Sequence, residues 1–191
     1  MKNLIARDIQ DSIEVKTALL KTQVPLIEKA AKKIFDCLKS GHKVLFFGNG
    51  GSASDSQHLA AELVGRYEKE RRGLPSIALT TDTSILTAVA NDYGFERIFE
   101  RQIEALGNPG DVAFGISTSG NSKNVVLAIA KAKALGLVTI GLSGRTGGGM
   151  NAQTDILINV PSHKTARIQE AHIMIGHIIC ERVDELWTSQ S

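Results

Sequence analysis

Residues 43–58 read KVLFFGNGGSASDSQH, a short apolar run that ends at a glycine and gives way to small polar residues. Four more short apolar runs follow, at 76–79, 111–116, 138–142 and 156–160. Runs that are continuously apolar, without alternating polar residues, are typical of strands buried on both faces of a parallel sheet. Helical patterns at about 54–67, 83–104, 122–135 and 165–187 follow four of the five runs. The alternation predicts an α/β fold, a three-layer αβα sandwich with a five-stranded parallel sheet.

The first forty residues carry a helical pattern of their own. Apolar residues recur at helical spacing from Leu4 to Leu19, and Pro25 precedes a second pattern at about 26–38. An amphipathic segment of this length cannot bury its apolar stripe alone, so it must pack on the core or on a neighbouring subunit. We therefore expect an N-terminal helical segment, residues 1–40, and an α/β domain, residues 41–191, within one structural unit.

The composition excludes several classes of protein. The chain has 22 Lys and Arg residues and 20 Asp and Glu residues, a formal net charge of +2. This balance excludes a polybasic nucleic-acid-binding protein and an acidic disordered chain. The charged N-terminus is unlike a signal peptide, and no run approaches the roughly 18 apolar residues of a membrane span. Cys37 and Cys180 lie in apolar helical patterns, which predicts reduced thiols. We expect a cytoplasmic protein that binds neither nucleic acid nor membrane.

Two polar stretches follow predicted strands, at Gly48–Asp55 and at Ser117–Ser122. Ligands of open parallel sheets bind at the carboxyl ends of the strands. The second stretch holds hydroxyl side chains and no charge, and hydroxyls with backbone N–H groups at a helix start can hold an anion such as a phosphate. Helix capping and turn formation would explain the same residue types in either stretch alone. Two such stretches, each after a buried strand, favour ligand binding over capping.

The helix after the first polar stretch carries His58, Glu62 and Arg66 at intervals of four residues. Because each step of four turns the helix by only about 40°, the three side chains lie on one face. A His and a Glu at this spacing can share a metal or exchange protons. A solvated His/Glu/Arg ladder on the surface would have the same spacing.

Polar residues also interrupt the apolar pattern of the last helix, at Gln169, His172 and His177. Gln169 and His177 lie about 12 Å apart along the helix, so one metal reaches both only if both side chains extend toward each other. Otherwise they act at separate points, or two subunits share the site. Gly176 lacks a side chain and would permit a close approach beside His177. Asn91-Asp92 fits an ordinary helix end as well as a functional role.

Five stretches together resemble known proteins. GNGGSASDSQH (48–58) and GISTSGNS (115–122) resemble the sugar isomerase (SIS) domain family, whose two serine-bearing loops hold phosphosugars. Within it, AELVGRY (61–67), ANDYGFERIF (90–99) and RIQEAHIMIGH (167–177) resemble the phosphoheptose isomerases. The resemblance covers nearly the whole chain. It implies an SIS fold over residues 41–191, a homotetramer with active sites near subunit interfaces, and conversion of D-sedoheptulose 7-phosphate to D-glycero-D-manno-heptose 7-phosphate, the first step toward ADP-heptose and the heptose of lipopolysaccharide.

The resemblance also implies roles for individual residues. Glu62 and His177 correspond to the catalytic pair of that family. The implied cofactor is one Zn²⁺ per subunit, with the ligands His58, Glu62, Gln169 and His177. The implied substrate contacts are Asn49, Gly50, Gly51, Ser52, Glu62, Asn91, Asp92, Ser117, Thr118, Ser119, Ser122 and Gln169.

The chemistry of that reaction agrees with these residue types. Ketose–aldose isomerisation moves a proton between C1 and C2 through an enediol or enediolate, and it needs a base, an acid and a stabiliser of negative charge. Zn²⁺ could serve as that stabiliser. The alternative is a non-enzymatic SIS-fold protein that associates with a replication initiator, a subgroup without the Glu/His pair. Glu62 and His177 favour the enzyme, and a sugar-phosphate-sensing regulator ranks last because the N-terminal helices carry no basic recognition pattern.

Overall fold

A computed structural model describes residues 1–189 of the chain. Five parallel strands form one sheet in the order β2-β1-β3-β4-β5. The strands are β1 (Val44–Gly48), β2 (Ser76–Ala78), β3 (Val112–Ser117), β4 (Val138–Ser143) and β5 (Ile156–Asn159). The helices are α1 (Lys2–Thr22), α2 (Val24–Lys39), α3 (Gly51–Val64), α4 (Thr83–Tyr93), α5 (Ile98–Leu106), α6 (Lys123–Ala134) and α7 (Thr165–Thr188).

Helices cover both faces of the sheet. On one face, Phe46 and Phe114 pack in a buried cluster with residues of α2, α3 and α7. On the other face, Leu45 and Phe47 pack with residues of α5 and α6. Successive residues of β1 thus point to opposite helix layers, and all of them are buried. The predicted αβα sandwich with a five-stranded parallel sheet is confirmed.

Two predicted helices differ from the observed ones. The pattern at 83–104 is divided into α4, a 3₁₀ turn at Phe95–Arg97 and α5. The break falls at Gly94, whose φ of 93° is incompatible with a continuing helix. Helix α3 begins at Gly51, about three residues earlier than the apolar pattern indicates, because its first turn consists of small polar residues without periodicity.

The N-terminal helices differ from each other in how they pack. Helix α2, with Pro25 in its first turn, buries an apolar face against the sheet and α7. In α1 only Leu19 is buried, whereas Ile5, Ile9 and Ile13 are more than half exposed. Helix α2 is therefore part of the core of this chain. The apolar stripe on α1 is not buried by any other part of residues 1–189.

Two expectations from composition concern the cysteines and the possibility of a membrane span. Cys37 and Cys180 are buried and free, and burial raises the pKa of each thiol to about 12. None of the helices within residues 1–189 combines the length and hydropathy that a membrane span requires.

His172 joins α7 to the sheet, and it makes folding sensitive to acid. Its imidazole Nε2 lies 3.2 Å from the backbone oxygen of Ser143, and burial lowers the pKa of the imidazole to about 4. In the unfolded chain the pKa is about 6.5, so between these values the unfolded state binds a proton that the native state does not. The contribution of neutral His172 is therefore present above about pH 6.5 and is lost as the pH falls toward about 4.

We expect this single group to lower the free energy of unfolding by up to about 3 kcal/mol between about pH 7 and about pH 4. Urea unfolding of the wild type and of His172→Gln, at one protein concentration, measures the effect. The variant should show the shallower acid dependence, because it lacks the titrating group. Equal slopes for the two proteins would contradict this assignment.

Candidate active site

The two polar stretches meet at the carboxyl edge of the sheet. Strands β1 and β3 are neighbours, with Gly48 opposite Ile116 in the register. After Gly48 only Asn49 and Gly50 lie outside regular structure, and Gly50 turns the chain into α3 with a φ of 57°. The first stretch is thus a short turn followed by the first turn of a helix. Its Ser52 is accordingly buried in the first turn of α3.

The second stretch forms the loop between β3 and α6. Ser117 is buried, and its hydroxyl lies 2.9 Å from that of Ser122, the residue before α6. Ser119 is exposed, and its Oγ accepts a hydrogen bond from the backbone N–H of Asn121. Asn49 and the buried Asn124 exchange amide hydrogen bonds of 2.9 Å in both directions, which holds the two stretches together. Asn124 carries no sequence signal that marked it as functional, although it lies in the helix turn directly after Ser122.

An open cleft of about 290 Å³ adjoins the serine-bearing loop. Thr118 and Ser119 line one side, and the segment before α7 lines the other. Arg145 Nη1 and His163 Nε2 lie 3.3 Å apart at this cleft. The guanidinium charge and the hydroxyls make this edge suitable for an anionic group.

Three ligand-type side chains converge between α3 and α7. His58 Nε2 lies 2.9 Å from His177 Nε2 and 3.1 Å from Glu62 Oε1. One ligand-type atom from each of the three residues lies within 4.8 Å of those of the other two. The His58 Nε2 atom carries at most one proton, so it cannot donate hydrogen bonds to His177 and Glu62 at the same time. A bound cation would instead accept a lone pair from each of the three side chains. Zn²⁺ with bonds of about 2.0–2.2 Å places tetrahedral ligands about 3.3 Å apart, close to the spacings observed.

Helices α3 and α7 run side by side in the same direction. A Cβ atom at Gly176 would lie 2.6 Å from Leu59 Cδ2, so the missing side chain permits the close approach expected beside His177. Nearer the start of both helices, a Cβ atom at Gly51 would lie 2.6 Å from Gln169 Nε2. Gln169 therefore lies against the first turn of α3, about two helical turns before the His58–Glu62–His177 cluster.

The structure does not bring three of the other singled-out residues to this cluster. Helix α3 ends at Val64, so Arg66 lies beyond it, exposed, with its Nε 3.6 Å from Glu70 Oε2. The expected common face of His58, Glu62 and Arg66 therefore holds only for the first two. Asn91 and Asp92 are exposed on α4, which packs on the 3₁₀ turn at Phe95–Arg97 and on α5 in the opposite helix layer. The Asn91 amide donates a hydrogen bond to Asp92.

Two residues near the cluster were not identified from the sequence. Asp55 lies one turn before His58 on α3, and burial raises the pKa of its carboxyl while the imidazoles of His58 and His177 act in the opposite direction. The Tyr67 ring lies 5.8 Å from that of His177, centroid to centroid. The spacing of Asp55 from His58 was a usable signal, whereas Tyr67 reaches His177 only through the tertiary fold.

Comparison with known proteins places the chain in a family. The SIS domain family model matches residues 9–144. A phosphoheptose isomerase from Aquifex aeolicus (strain VF5) is 55% identical over 191 residues, which cover 100% of both chains. This chain belongs to the phosphoheptose isomerase family. Two solved phosphoheptose isomerases share its fold. The one from Neisseria gonorrhoeae is 45% identical, with a TM-score of 0.91 over 96% of this chain and 98% of that one. The one from Francisella tularensis is 40% identical, with a TM-score of 0.93 over 96% and 97%.

Membership in the phosphoheptose isomerases confirms the sequence-based resemblance, and the comparisons give no support to a replication-initiator-associating protein. The structure places the residues that the resemblance implied in different parts of the molecule. The serine-bearing loop lies at the carboxyl edge of the sheet, and Gln169 lies beside the start of α3. The His58–Glu62–His177 cluster lies about two helical turns further along α3 and α7, and Asn91 and Asp92 lie apart.

Proposed function

We propose that this protein isomerises D-sedoheptulose 7-phosphate to D-glycero-D-manno-heptose 7-phosphate. The observation that carries the proposal is the convergence of His58, Glu62 and His177 between α3 and α7, in a chain 55% identical to a phosphoheptose isomerase. The base and the acid that the reaction needs lie in the cluster, and the anion-holding groups lie at the carboxyl edge of the sheet, where α3 begins.

The proton transfers are assigned to Glu62 and His177. The Glu62 carboxylate would take the proton from C1 of the ketose, and His177 would give a proton to the O2 atom, which yields an enediol. Loss of the O1 proton and return of a proton to C2 then complete the aldose. Glu62 is one-fifth exposed and His58 about one-half, so a substrate can reach the cluster from solvent.

The donor set fits a zinc ion. His58, Glu62 and His177 would hold it, and Gln169 is the fourth ligand that the family resemblance implies. When bound, Zn²⁺ supplies positive charge that polarises a carbonyl oxygen and stabilises the negative charge that develops there. The open space beside His58 leaves substrate access to the site, as a catalytic zinc requires.

The sugar phosphate would lie between the two polar stretches. At the start of α3, the contacts would come from Asn49, Gly50, Gly51 and Ser52. In the loop before α6, the hydroxyls would come from Ser117, Thr118, Ser119 and Ser122. Gln169, Asn91 and Asp92 complete the contacts that the resemblance implies. Because Asn91 and Asp92 are far from α3 in the packing of one chain, their contribution is proposed to arise within the assembled oligomer.

Removing the hydroxyl of Ser119 should weaken phosphosugar binding. We expect Ser119→Ala to raise KM by a factor equivalent to about 1–3 kcal/mol with little change in kcat, because the phosphate contact exists before any bond changes. Ser122→Ala should act similarly, since it also removes the partner of the Ser117 hydroxyl. Steady-state kinetics measures both, with Ser40→Ala, an exposed position at the end of α2, as the control. A large fall in kcat at unchanged KM would instead place these hydroxyls at the reacting carbons.

The assembly is proposed to be a homotetramer with active sites near its subunit interfaces. Ile5, Ile9 and Ile13 form an exposed stripe on α1, spaced four residues apart. Two open clefts between α1 and the beginning of α7 extend this surface. A second copy of the chain is the partner that would cover the stripe, since homo-oligomers bury such faces symmetrically.

Light scattering should therefore give a mass near four times 20.5 kDa. We expect Ile9→Lys to lower the mass, because it places a charge in the apolar stripe, whereas Gln10→Lys, at the next exposed position, should leave it unchanged. A wild-type mass of one chain at micromolar concentration would contradict the proposal.

The direct test of function is incubation of the purified protein with sedoheptulose 7-phosphate and detection of the aldose. We propose a cytoplasmic location and a role at the start of ADP-heptose synthesis for lipopolysaccharide, because the activated sugar is made from a soluble phosphosugar. Absence of the aldose with the zinc-loaded protein would contradict the proposed function.

A further inference from the structure

Arg71 and Asp184 form a fully buried ion pair behind the cluster. Arg71 Nε lies 2.6 Å from Asp184 Oδ1, and each side chain is only 1% exposed. Paired charges are seldom buried this completely, because their desolvation offsets much of their attraction. Neither residue belongs to the cluster, and the sequence patterns gave no reason to single out either.

Arg71 caps the helix that carries His58 and Glu62. Its Nη2 donates to the backbone oxygen of Glu62 at 2.9 Å, and its Nη1 donates to that of Leu63 at 2.9 Å. These carbonyls lie in the last turn of α3, where no further helical N–H group is available to them. The guanidinium also places a positive charge at the negative end of the helix. The backbone of Glu62 itself is thus held by Arg71.

Asp184 holds the other elements that meet at the cluster. It lies on α7 two turns after His177, and its Oδ2 accepts the backbone N–H groups of Glu68 at 3.0 Å and Lys69 at 3.2 Å. Those bonds fix the segment that follows α3, which includes Tyr67 with its ring against His177. One buried pair therefore joins the end of α3, the Tyr67 segment and α7.

We propose that Arg71 and Asp184 are positioning residues that set the register between α3 and α7, and with it the spacing of Glu62 and His58 against His177. This inference rests on the proposed isomerase function. Elsewhere along the helix pair, the Leu59–Gly176 contact is apolar and nondirectional, whereas charge-assisted hydrogen bonds fix direction and distance. An error of about 1 Å in such a site lowers rate by about 100-fold.

A second ion pair in the same chain provides a matched control. Lys43 Nζ lies 2.6 Å from Asp111 Oδ2, and Asp111 is 1% exposed. This pair joins the beginnings of β1 and β3, at the edge of the sheet opposite the two polar stretches, and within residues 1–189 neither residue contacts α3 or α7 through a side-chain hydrogen bond. A pair that only stabilises the fold and a pair that positions the cluster should differ in their effects on the site.

The experiment compares the double variant Arg71→Met/Asp184→Leu with Lys43→Met/Asp111→Leu. Apolar replacement of both partners avoids leaving an unpaired buried charge, so the fold is expected to survive. Asp184→Asn, which keeps the shape of the side chain, is measured in parallel in case the double variant does not fold. Circular dichroism and light scattering verify fold and assembly before any other measurement.

The first readout is the affinity of the metal-free protein for Zn²⁺, by competition with a chelator. We expect a loss of about 10–100-fold for Arg71→Met/Asp184→Leu and a smaller loss in the same direction for Asp184→Asn, as for other residues that orient metal ligands. The Lys43/Asp111 variant should remain within about threefold of wild type. The second readout is kinetics, where kcat should fall by about 10–100-fold at nearly constant KM.

Arg71→Lys provides a rescue test, because it keeps the charge but not the forked geometry. It should recover only part of the loss. Equal Zn²⁺ affinities in the wild type and the folded Arg71/Asp184 variants would overturn the inference, as would equal losses in the Lys43/Asp111 control. If the wild type produces no aldose, the proposed function fails, but the difference in Zn²⁺ affinity still decides whether the pair positions the cluster.

Discussion

Glu62→Gln is expected to lower kcat by about 10²–10⁴-fold. The substitution keeps the size of the side chain but removes the carboxylate that is the proposed base and that contacts His58 at 3.1 Å. The measurement is the rate of aldose formation from sedoheptulose 7-phosphate at saturating substrate. Glu104→Gln, at an exposed position on α5 in the opposite helix layer, is the control and should keep wild-type activity.

His177→Gln should produce a loss of similar size, since it removes the proposed acid. Combined with Glu62→Gln it should cost little more, because residues that act as a unit on one intermediate are not additive. Near wild-type activity in Glu62→Gln would show that the base is assigned wrongly. Loss of the wild-type assembly state in His177→Ala would indicate instead that this histidine supports packing.

Metal content separates the two roles of Glu62. If Glu62→Gln loses Zn²⁺ and added Zn²⁺ restores the rate, the carboxylate serves as a ligand and not as the base. If the variant is fully loaded with Zn²⁺ and remains slow, the carboxylate acts on the substrate proton. Metal analysis of the purified variant distinguishes these outcomes.

Gly120→Ala is expected to destabilise the fold by about 2–4 kcal/mol, which for a chain of this size lowers Tm by roughly 4–16 °C. Gly120 has a φ of 68°, and a Cβ atom there would overlap the backbone oxygen of Gly147 and lie 2.6 Å from Ser143 Oγ. Because backbone cannot move aside as a flexible side chain does, the serine-bearing loop would separate from the loop after β4. KM should rise together with the loss of stability.

Gly41→Ala measures the loss of stability that comes from the positive φ alone, without a steric overlap. Gly41 has a φ of 84°, but no atom lies within 4 Å of the position that its Cβ would occupy. Thermal unfolding at one protein concentration should therefore show a loss of only about 1–2 kcal/mol. Equal losses for the two variants would mean that the contact between the loops does not matter for stability.

The sheet and most helices could be predicted from the sequence because their signals are local. The run at 44–47 is continuously apolar and forms β1, with both faces covered. Where the signal was weak, the prediction was wrong by a few residues, as at the start of α3, or missed a break, as at Gly94. A glycine in a helical pattern marks a break only if its backbone leaves the helical region, which is a property of the folded chain.

The candidate site, like the fold, could be predicted from the sequence only where the signal is local. Spacing of four residues was enough to place His58 beside Glu62, because one helix determines both positions. It failed for Arg66, since the helix ends at Val64 once Arg71 caps the last carbonyls. The approach of Gly176 to Leu59 agreed with the expectation from its missing side chain.

By itself, the sequence determined the α/β sandwich, the two polar stretches after buried strands, and the family to which they belong. Only the tertiary structure decided that His177 lies 2.9 Å from His58, that Gln169 lies beside Gly51, and that Arg71 pairs with Asp184. The physical reason is separation along the chain. Contacts within one helix follow from its repeat, whereas contacts between α3 and α7 depend on how the whole sheet positions two helices more than a hundred residues apart.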